Sequence, residues 1–275
     1  MAEPVGEQWF DSEACWRYVG RWSERIAREL IGWLGVPEGA DWLDVGCGPG
    51  PLAGAILANA GPRRVRGVDL SPQFVAAARE RITDERASFA VDDATTLAGE
   101  PDAAYDAVVS GLVLNFLPDP RAGVRAMRRV VKPGGVVAAY VWDYAEGMQI
   151  MRAFWDAAID LFPEAERYDE GSRFSVCNPE ALTELWERAG LADVQTRAID
   201  VPAVFRDFDD YWTPFLSEQA PAPRFAMSLT PSDREALRKA VAARLPFHTD
   251  GSIHLIARAW AVRGTRPNHD ASGGR

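Results

Sequence analysis

Cysteine, histidine and long apolar runs are scarce in this chain, and each shortage excludes a class of protein. Its 275 residues include three cysteines, Cys15, Cys47 and Cys177, with no CxxC pair. So sparse and odd a set argues against a disulfide framework or a zinc knuckle and suits a reducing compartment, so we expect a cytoplasmic protein. The three histidines lie near the C-terminus without an HExxH motif, so no metal site is expected.

No stretch approaches the roughly 20 consecutive apolar residues that a membrane-spanning helix needs. The opening MAEPVGEQWFDSEACW has no basic region followed by an apolar run, so we expect no signal peptide. Basic residues are also outnumbered, with 30 Lys and Arg against 40 Asp and Glu and a net charge of −10. This balance disfavours binding to nucleic acid or to anionic lipid.

The chain does contain an alternation of apolar strands and helical patterns. Hydrophobic residues make up 47% of the sequence, enough to bury a core. Strands alternating with helices at this spacing imply βαβ units and a parallel sheet. The predicted strands are 40–46, 63–70, 87–93, 105–116 (ending in a loop), 135–144, 192–201 and 252–264. The predicted helices are 12–34, 51–59, 71–82, 120–131, 147–162, 178–191 and 230–245.

The most informative segment is a glycine-rich turn, LDVGCGPG at 43–50, between the first strand and the next helix. Glycines at the carboxyl end of a strand let the backbone approach a ligand closely, as in nucleotide-binding folds. The third glycine of a dinucleotide fingerprint would fall at Pro51, and no Lys-Ser or Lys-Thr pair of a P-loop follows. The turn therefore favours a nucleotide site of another kind.

Acidic residues stand at the ends of the next two strands. Asp69 ends the second strand, about 20 residues after Gly50, where a carboxylate can accept both hydroxyls of a ribose. The third strand ends in Asp92 and Asp93, and an acid there can accept a hydrogen bond from an adenine amino group. A nucleoside without a pyrophosphate fits all three positions. The alternative is that the glycines only turn the chain and the acids only cap helices.

These segments together resemble the class I S-adenosylmethionine-dependent methyltransferases. DVGCGPG is similar to the first motif of that family, GVDLSP to the second and FAVDDATTL to the adenine-side motif. YDAVVSGLVLNFLPDP and RRVVKPGG are similar to the fourth strand and to the turn before the fifth, so the motifs run through residues 41–143. Within the family, the sequence is similar to the small-molecule branch, which includes quinone-biosynthesis methyltransferases.

The resemblance implies an α/β fold, a Rossmann-like three-layer sandwich with helical lid insertions. Its seven-stranded, mostly parallel sheet would have the order 3-2-1-4-5-7-6, with strand 7 antiparallel. We expect a single methyltransferase domain over 1–265, with an N-terminal cap helix at 12–34 and lid or acceptor insertions at 145–178 and 203–229. The polar residues 266–275 are expected to form a disordered tail.

The implied reaction moves a methyl group from S-adenosylmethionine to the O, N or C nucleophile of a small organic acceptor and leaves S-adenosylhomocysteine. Aromatic residues outside the sheet favour an aromatic or apolar acceptor. Because in-line positioning can supply most of what the displacement requires, no compulsory nucleophile is expected. Two alternatives stay open: a protein that binds this cofactor without transferring its methyl group, and an NAD-dependent oxidoreductase. The oligomeric state is left open.

The resemblance also assigns cofactor-binding roles to matching positions. Asp44 and the turn glycines would line the methionine part, Asp69 would hold the ribose, and Leu70 would pack on adenine. Asp93 and the Ala94 N–H would bind the adenine edge, although Asp92 leaves open which acid faces it. The full cofactor-binding set is Tyr18, Arg21, Asp44, Gly46, Cys47, Gly48, Gly50, Asp69, Leu70, Asp93, Ala94, Ser110 and Leu112.

Ser110 and Leu112, after the fourth strand, would flank the sulfonium. Arg21, on the N-terminal helix with Tyr18, would pair with the cofactor carboxylate, or else lie on a solvated helix face.

Candidates for a general base lie beyond the carboxyl ends of the late strands. Asp143 and Tyr144 follow the fifth strand, and His248 follows the last helix. Asp143 could instead cap the next segment, and His248 could be an exposed loop histidine.

Overall fold

The computed structural model describes residues 20–217 and 220–268 of the chain. Its strands are β1 (Asp41–Val45), β2 (Arg64–Asp69), β3 (Ala87–Val91), β4 (Tyr105–Gly111), β5 (Val131–Trp142), β6 (Ala192–Phe205) and β7 (Ile253–Thr265). They form one seven-stranded sheet of order β3-β2-β1-β4-β5-β7-β6, in which β3 to β5 pair in parallel. The Gly134 N–H donates to the Arg266 carbonyl and the Arg266 N–H to Gly135, which is antiparallel pairing of β7. The predicted fold class, strand order and strand direction are confirmed.

Ten helices accompany the strands in the described residues. They are α1 (Arg21–Leu34), α2 (Pro51–Asn59), α3 (Pro72–Arg81), α4 (Pro120–Val130), α5 (Gln149–Leu161), α6 (Glu170–Arg173), α7 (Pro179–Arg188), α8 (Phe208–Trp212), α9 (Pro221–Ser228) and α10 (Pro231–Ala242). Short 3₁₀ turns lie at Leu114–Phe116, Pro163–Tyr168 and Thr213–Leu216. Four helices begin with a capping side chain followed by proline, an arrangement that satisfies free backbone N–H groups at no cost to the helix. The four caps are Ser71, Asp119, Asn178 and Thr230.

The described residues fall into two compact units. We call the first the sheet unit, which comprises 23–141, 176–199 and 260–268. The second, the aromatic unit, comprises 20–22, 142–175, 200–217 and 220–259. The single domain expected over 1–265, with its two insertions, stays a prediction.

The sheet unit has its core around β1 and β4. Every residue of β1 is buried, as is the apolar run 107–109 of β4. Strands covered on both faces are typical of parallel sheets, which explains why their sequences lack polar alternation. The one charged residue that opens β1, Asp41, is compensated by Arg63 and Arg64, whose hydrogen bonds hold its pKa far below the usual range.

The aromatic unit is a cluster of buried rings. Phe154 of α5 stacks on Phe215 with ring centroids 4.6 Å apart, and both side chains are almost fully buried. The Tyr211 hydroxyl donates to the Ile150 carbonyl at 2.7 Å, which satisfies its polar end inside the cluster. These rings therefore form the core of this unit.

Two strand boundaries differ from the prediction by four residues, at the start of β5 and at the end of β6. β5 begins at Val131, although Lys132-Pro133-Gly134-Gly135 was expected to be a turn before the strand. The register shows why: Tyr105 pairs with Val131, but Ala107 pairs with Val136, so the four residues form an irregular bulge within the strand. β6 likewise continues through Phe205, beyond its predicted end at residue 201.

Parts of the predicted termini lie outside the described residues. The expected helix over 12–34 is described from Arg21 to Leu34, and residues 12–19 are not among those described. The same holds for residues 269–275 of the expected tail. Within the described ranges, no helix combines the length and apolar character needed to cross a bilayer.

Candidate functional site

The glycine turn lies between β1 and α2 at the carboxyl end of the central strand. The N–H groups of Gly46 and Cys47 both donate to the Val68 carbonyl, at 2.8 and 2.9 Å, which holds the turn against the end of β2. Gly46 has φ +73°, and a Cβ there would lie 2.4 Å from a Val113 methyl group, so only glycine fits. Above Gly48, also at positive φ, a Cβ would meet nothing within 4 Å. The turn is therefore tightly packed at Gly46 and open at Gly48.

Asp69 ends β2 beside this turn, and Leu70 follows it. The Gly48 N–H donates to Oδ2 of Asp69 at 2.9 Å, and the Ser71 N–H donates to Oδ1 at 2.8 Å. A carboxylate oxygen can accept more than one hydrogen bond, so each oxygen keeps capacity for a ribose hydroxyl. Leu70 is 71% exposed, an apolar surface on which a planar base can pack.

The two acids after β3 differ in how many of their carboxylate oxygens remain free to accept another hydrogen bond. Asp92 uses both carboxylate oxygens, accepting from the Asp93 N–H at 2.8 Å and from the Gly99 N–H at 3.0 Å. Asp93 accepts both Thr95 hydrogen bonds on Oδ1, and these, the backbone bond first, lower its pKa. Its Oδ2 makes no hydrogen bond within the described ranges. Asp93, followed by the half-exposed Ala94, is therefore the ionised acceptor with a free oxygen.

Asp44 is a carboxyl group without a partner. Its side chain is 1% exposed, and within the described ranges neither oxygen has a partner in good hydrogen-bond geometry. Burial raises its pKa to about 8, the nearby Ala53 backbone N–H offsets part of this shift without reaching that geometry, and the charge on Asp69 adds to it. A buried unpaired carboxyl costs free energy until a donor or a cation reaches it. The chemistry of Asp44 therefore fits the ammonium group of an amino acid.

The remaining predicted residues of the sheet unit have structural contacts. Cys47 is buried, which raises the pKa of its thiol and makes it a poor nucleophile. Ser110 donates from Oγ to the Val45 carbonyl at 2.8 Å, so its hydroxyl ties β4 to β1. Leu112 has φ +62°, a strained conformation for a branched side chain, and its N–H donates to the Tyr140 backbone carbonyl. Gly50, at φ +90°, precedes α2.

Sequence reasoning missed two features of this unit. Asn115, in the 3₁₀ turn after β4, is 9% exposed, and among the described residues neither its Oδ1 nor its Nδ2 has a hydrogen-bond partner. The buried hydroxyls of Ser23 and Tyr140 lie 2.8 Å apart. A lone amide inside the apolar run VLNFL was the available signal for Asn115, whereas the Ser23–Tyr140 pair joins distant parts of the chain.

Arg21 lies in the aromatic unit. Its guanidinium is 4.3 Å from the Trp22 ring centroid and 4.8 Å from that of Phe205, and burial lowers its pKa. Within the described part of the chain, the buried Nε and Nη2 have no hydrogen-bond partner. The residue as a whole is half-buried, so its pairing with a cofactor carboxylate stays a prediction. It borders a cavity of about 410 Å³ also lined by Arg206, Asp207, Asp209, Asp210, Thr213 and Pro214.

The three base candidates also belong to the aromatic unit. Asp143 is buried, with Oδ1 accepting the Glu146 N–H at 3.2 Å, and its Oδ2 has no hydrogen-bond partner in the part of the chain that the structure describes. Tyr144 is buried with its ring against Phe174. His248 is exposed and its ring lies 4.1 Å from that of His254. Tyr18 lies outside the described residues, and all of these assigned roles stay predictions.

Comparison with known proteins gives a consistent picture. A family model described as a methyltransferase domain matches residues 43–139. The chain is 33% identical over 187 residues to 2-methyl-6-phytyl-1,4-hydroquinone methyltransferase of Synechocystis sp., covering 67% of this chain and 57% of that protein. It is 36% identical over 123 residues to trans-aconitate 2-methyltransferase of Variovorax paradoxus, covering 44% and 46%. The chain thus spans about half the length of these relatives.

A solved structure shares the fold. Phosphoethanolamine N-methyltransferase 2 of Haemonchus contortus, in complex with S-adenosyl-L-methionine, superposes with a TM-score of 0.56 at 20% identity. The match covers 88% of this chain and 52% of that one. At this identity the likeness concerns the arrangement of strands and helices.

Proposed function

Since this chain belongs to the class I S-adenosylmethionine-dependent methyltransferases, we propose that it transfers a methyl group from S-adenosylmethionine to a small organic acceptor. The cofactor of this family is the one that the sequence predicts. The observation that carries the proposal is the hydrogen bond between the Gly48 N–H and the Asp69 carboxylate. It joins the glycine turn to the acid at the end of β2, an arrangement that suits a nucleoside.

Each end of the cofactor has a matching group in the sheet unit. Asp69 would accept the ribose hydroxyls, and Asp93 would accept the adenine amino group on its free Oδ2. Asp44, partnerless in the structure, would take the ammonium group. When bound, the cofactor would supply a methyl group on a positively charged sulfur. The sulfur would keep the electron pair of the broken S–C bond as the methyl carbon bonds to the acceptor.

The acceptor is proposed to be a small, aromatic or apolar molecule with an O, N or C nucleophile. Two relatives of this chain are named for a hydroquinone and for trans-aconitate, which supports a small organic acceptor. An acceptor that must lose a proton needs a base. Asp143, whose buried Oδ2 has no partner, is the base we propose, with Tyr144 and His248 as the other candidates. A cytoplasmic location stays a prediction.

The test is methyl transfer from methyl-labelled S-adenosylmethionine to a panel of hydroquinones, phenols, amines and organic acids. We expect S-adenosylhomocysteine to form with at least one acceptor, and Asp69→Ala to lose most of that activity. Asp84→Ala is the matched control, because it removes an exposed carboxylate that pairs with Arg86. Cofactor binding without any product, including with cell extract, would favour the non-transferring alternative. Binding of NADH and not of S-adenosylmethionine would favour an oxidoreductase.

A further inference from the structure

Asn115 is a buried amide that the fold itself does not use. Its neighbours on the turn complete the local backbone hydrogen bonds, with Phe116 N–H donating to Val113 and Leu117 N–H to Leu114. The Asn115 side chain caps no helix end and accepts from no backbone N–H within the described ranges. A leucine would suit the surrounding run of Val113, Leu114, Phe116 and Leu117 better, because a buried amide without partners is destabilising.

The position of Asn115 relates it to the glycine turn. β4 pairs with β1 in parallel, with Val109 opposite Asp44, so both chains leave the sheet at the same edge. Ser110 then donates to Val45, and the Val113 side chain fills the space beside Gly46. Asn115 follows two residues later. Asp44 and Asn115 therefore lie at the two chain segments that meet at this edge. Both side chains are at least nine-tenths buried, and neither has a hydrogen-bond partner within the described ranges.

The chemistry of the pair matches one type of ligand. An ionised carboxylate offers acceptors only, whereas an amide offers one acceptor and one donor group. An α-amino acid presents an ammonium donor and a carboxylate acceptor on one carbon. We propose that Asn115 and Asp44 together bind the amino-acid end of the cofactor, with the ammonium on Asp44 and Asn115 Oδ1 and the carboxylate on Asn115 Nδ2. This inference rests on the proposed function and adds a residue that no motif marks.

The test compares two ligands that differ in the amino-acid end. S-adenosylhomocysteine carries it and adenosine does not, and both affinities are measured by calorimetry. Asn115→Leu is expected to weaken S-adenosylhomocysteine binding roughly tenfold or more, because hydrogen bonds to charged groups are lost. Adenosine affinity should stay within about twofold. Asn59→Leu is the control, since Asn59 is an exposed amide at the end of α2 in the same unit.

Thermal unfolding separates this role from a structural one. Without ligand, Asn115→Leu should melt at the same temperature as the wild type or a few degrees higher, since an unpaired buried amide is replaced by an apolar group of similar size. Equal weakening of both ligands together with a lower melting temperature would overturn the inference in favour of a packing role. Unchanged S-adenosylhomocysteine affinity would overturn it too, and would point to the acceptor. If the wild type binds neither ligand, the proposed function fails first.

Discussion

Asp44, Asp69, Asp93 and Asn115 show which kinds of site residue a sequence can reveal. The sequence marks Asp44 and Asp69 as candidates because their spacing from the glycines is local to the chain. The choice between Asp92 and Asp93 was not decided by the sequence, because it depends on where the N–H groups of Thr95 and Gly99 point. Asn115 was missed because its significance lies in burial without partners, which depends on residues from distant segments.

The raised pKa of Asp44 predicts that cofactor binding depends on pH. Below its pKa of about 8 the carboxyl is protonated, so binding an ammonium group requires release of that proton. The association constant for S-adenosylhomocysteine should therefore rise with pH, by up to about tenfold per unit between about pH 6 and 7.5. Calorimetry across this range measures the slope.

Asp44→Asn is the control for this dependence, because it keeps the size of the side chain and removes its titration. We expect weaker binding and a flat profile for the variant. A wild-type profile that is already flat, or an equal slope in both proteins, would contradict the assignment of the ammonium to Asp44.

At the scale of elements, the sequence predicted helix starts best, because each start depends on a few neighbouring residues of one segment. The capped helices α3, α4, α7 and α10 begin within one residue of their predicted starts, each at a polar cap followed by proline. The bulge in β5 was not predicted, because Lys132-Pro133-Gly134-Gly135 has the composition of a turn. These four residues stay in the strand because Gly134 and Gly135 form backbone hydrogen bonds with Arg266, which follows β7.

The glycine turn predicts different costs for two glycine substitutions. Gly46→Ala should lower the free energy of unfolding by about 2–4 kcal/mol, since strain at positive φ adds to overpacking against Val113. Gly48→Ala should cost about 1–2 kcal/mol, because its backbone is also at positive φ but the space above it is open. Urea unfolding of both variants measures the difference.

Val113→Ala in the Gly46→Ala background identifies the source of the extra cost. It should restore part of the stability, so that the two substitutions couple favourably in a double-mutant cycle. Equal costs at the two glycines, or additive effects of the pair, would show that the packing of Val113 against the turn is not the constraint.

At the scale of the whole molecule, the strand order came from the resemblance, because spacing alone implied only a parallel sheet. The division into a sheet unit and an aromatic unit was not predicted. Aromatic residues that the sequence offered as possible lid residues pack on one another, as Phe154 does on Phe215. Which aromatic residues share a core depends on contacts between 142–175 and 200–259, and no local pattern encodes these.

Two buried carboxyls, one in each unit, predict how stability depends on pH. Burial raises the pKa of both Asp44 and Glu170 to about 8, although the Trp155 indole N–H donates to Glu170. Between the pKa values of the unfolded chain and pH 8, the native state holds more protons. The free energy of unfolding of the ligand-free protein should therefore fall as pH rises from about 5 to 8, by up to about 1.4 kcal/mol per unit for each group.

Chemical denaturation at several pH values tests this trend. Glu170→Gln keeps an acceptor for Trp155, and combined with Asp44→Asn it should leave a nearly flat profile over this range. Stability that rises with pH in the wild type would contradict the assignment of raised pKa values to these groups.

The most direct test of the central claim is calorimetric titration of the ligand-free protein with S-adenosylhomocysteine, compared with Asp69→Ala. The account predicts one site per chain with a dissociation constant in the micromolar range, and loss of most of that affinity when the Asp69 carboxylate is removed. Absence of binding at millimolar ligand, or equal affinity in the two proteins, would contradict the assignment of the glycine turn and Asp69 as the cofactor site.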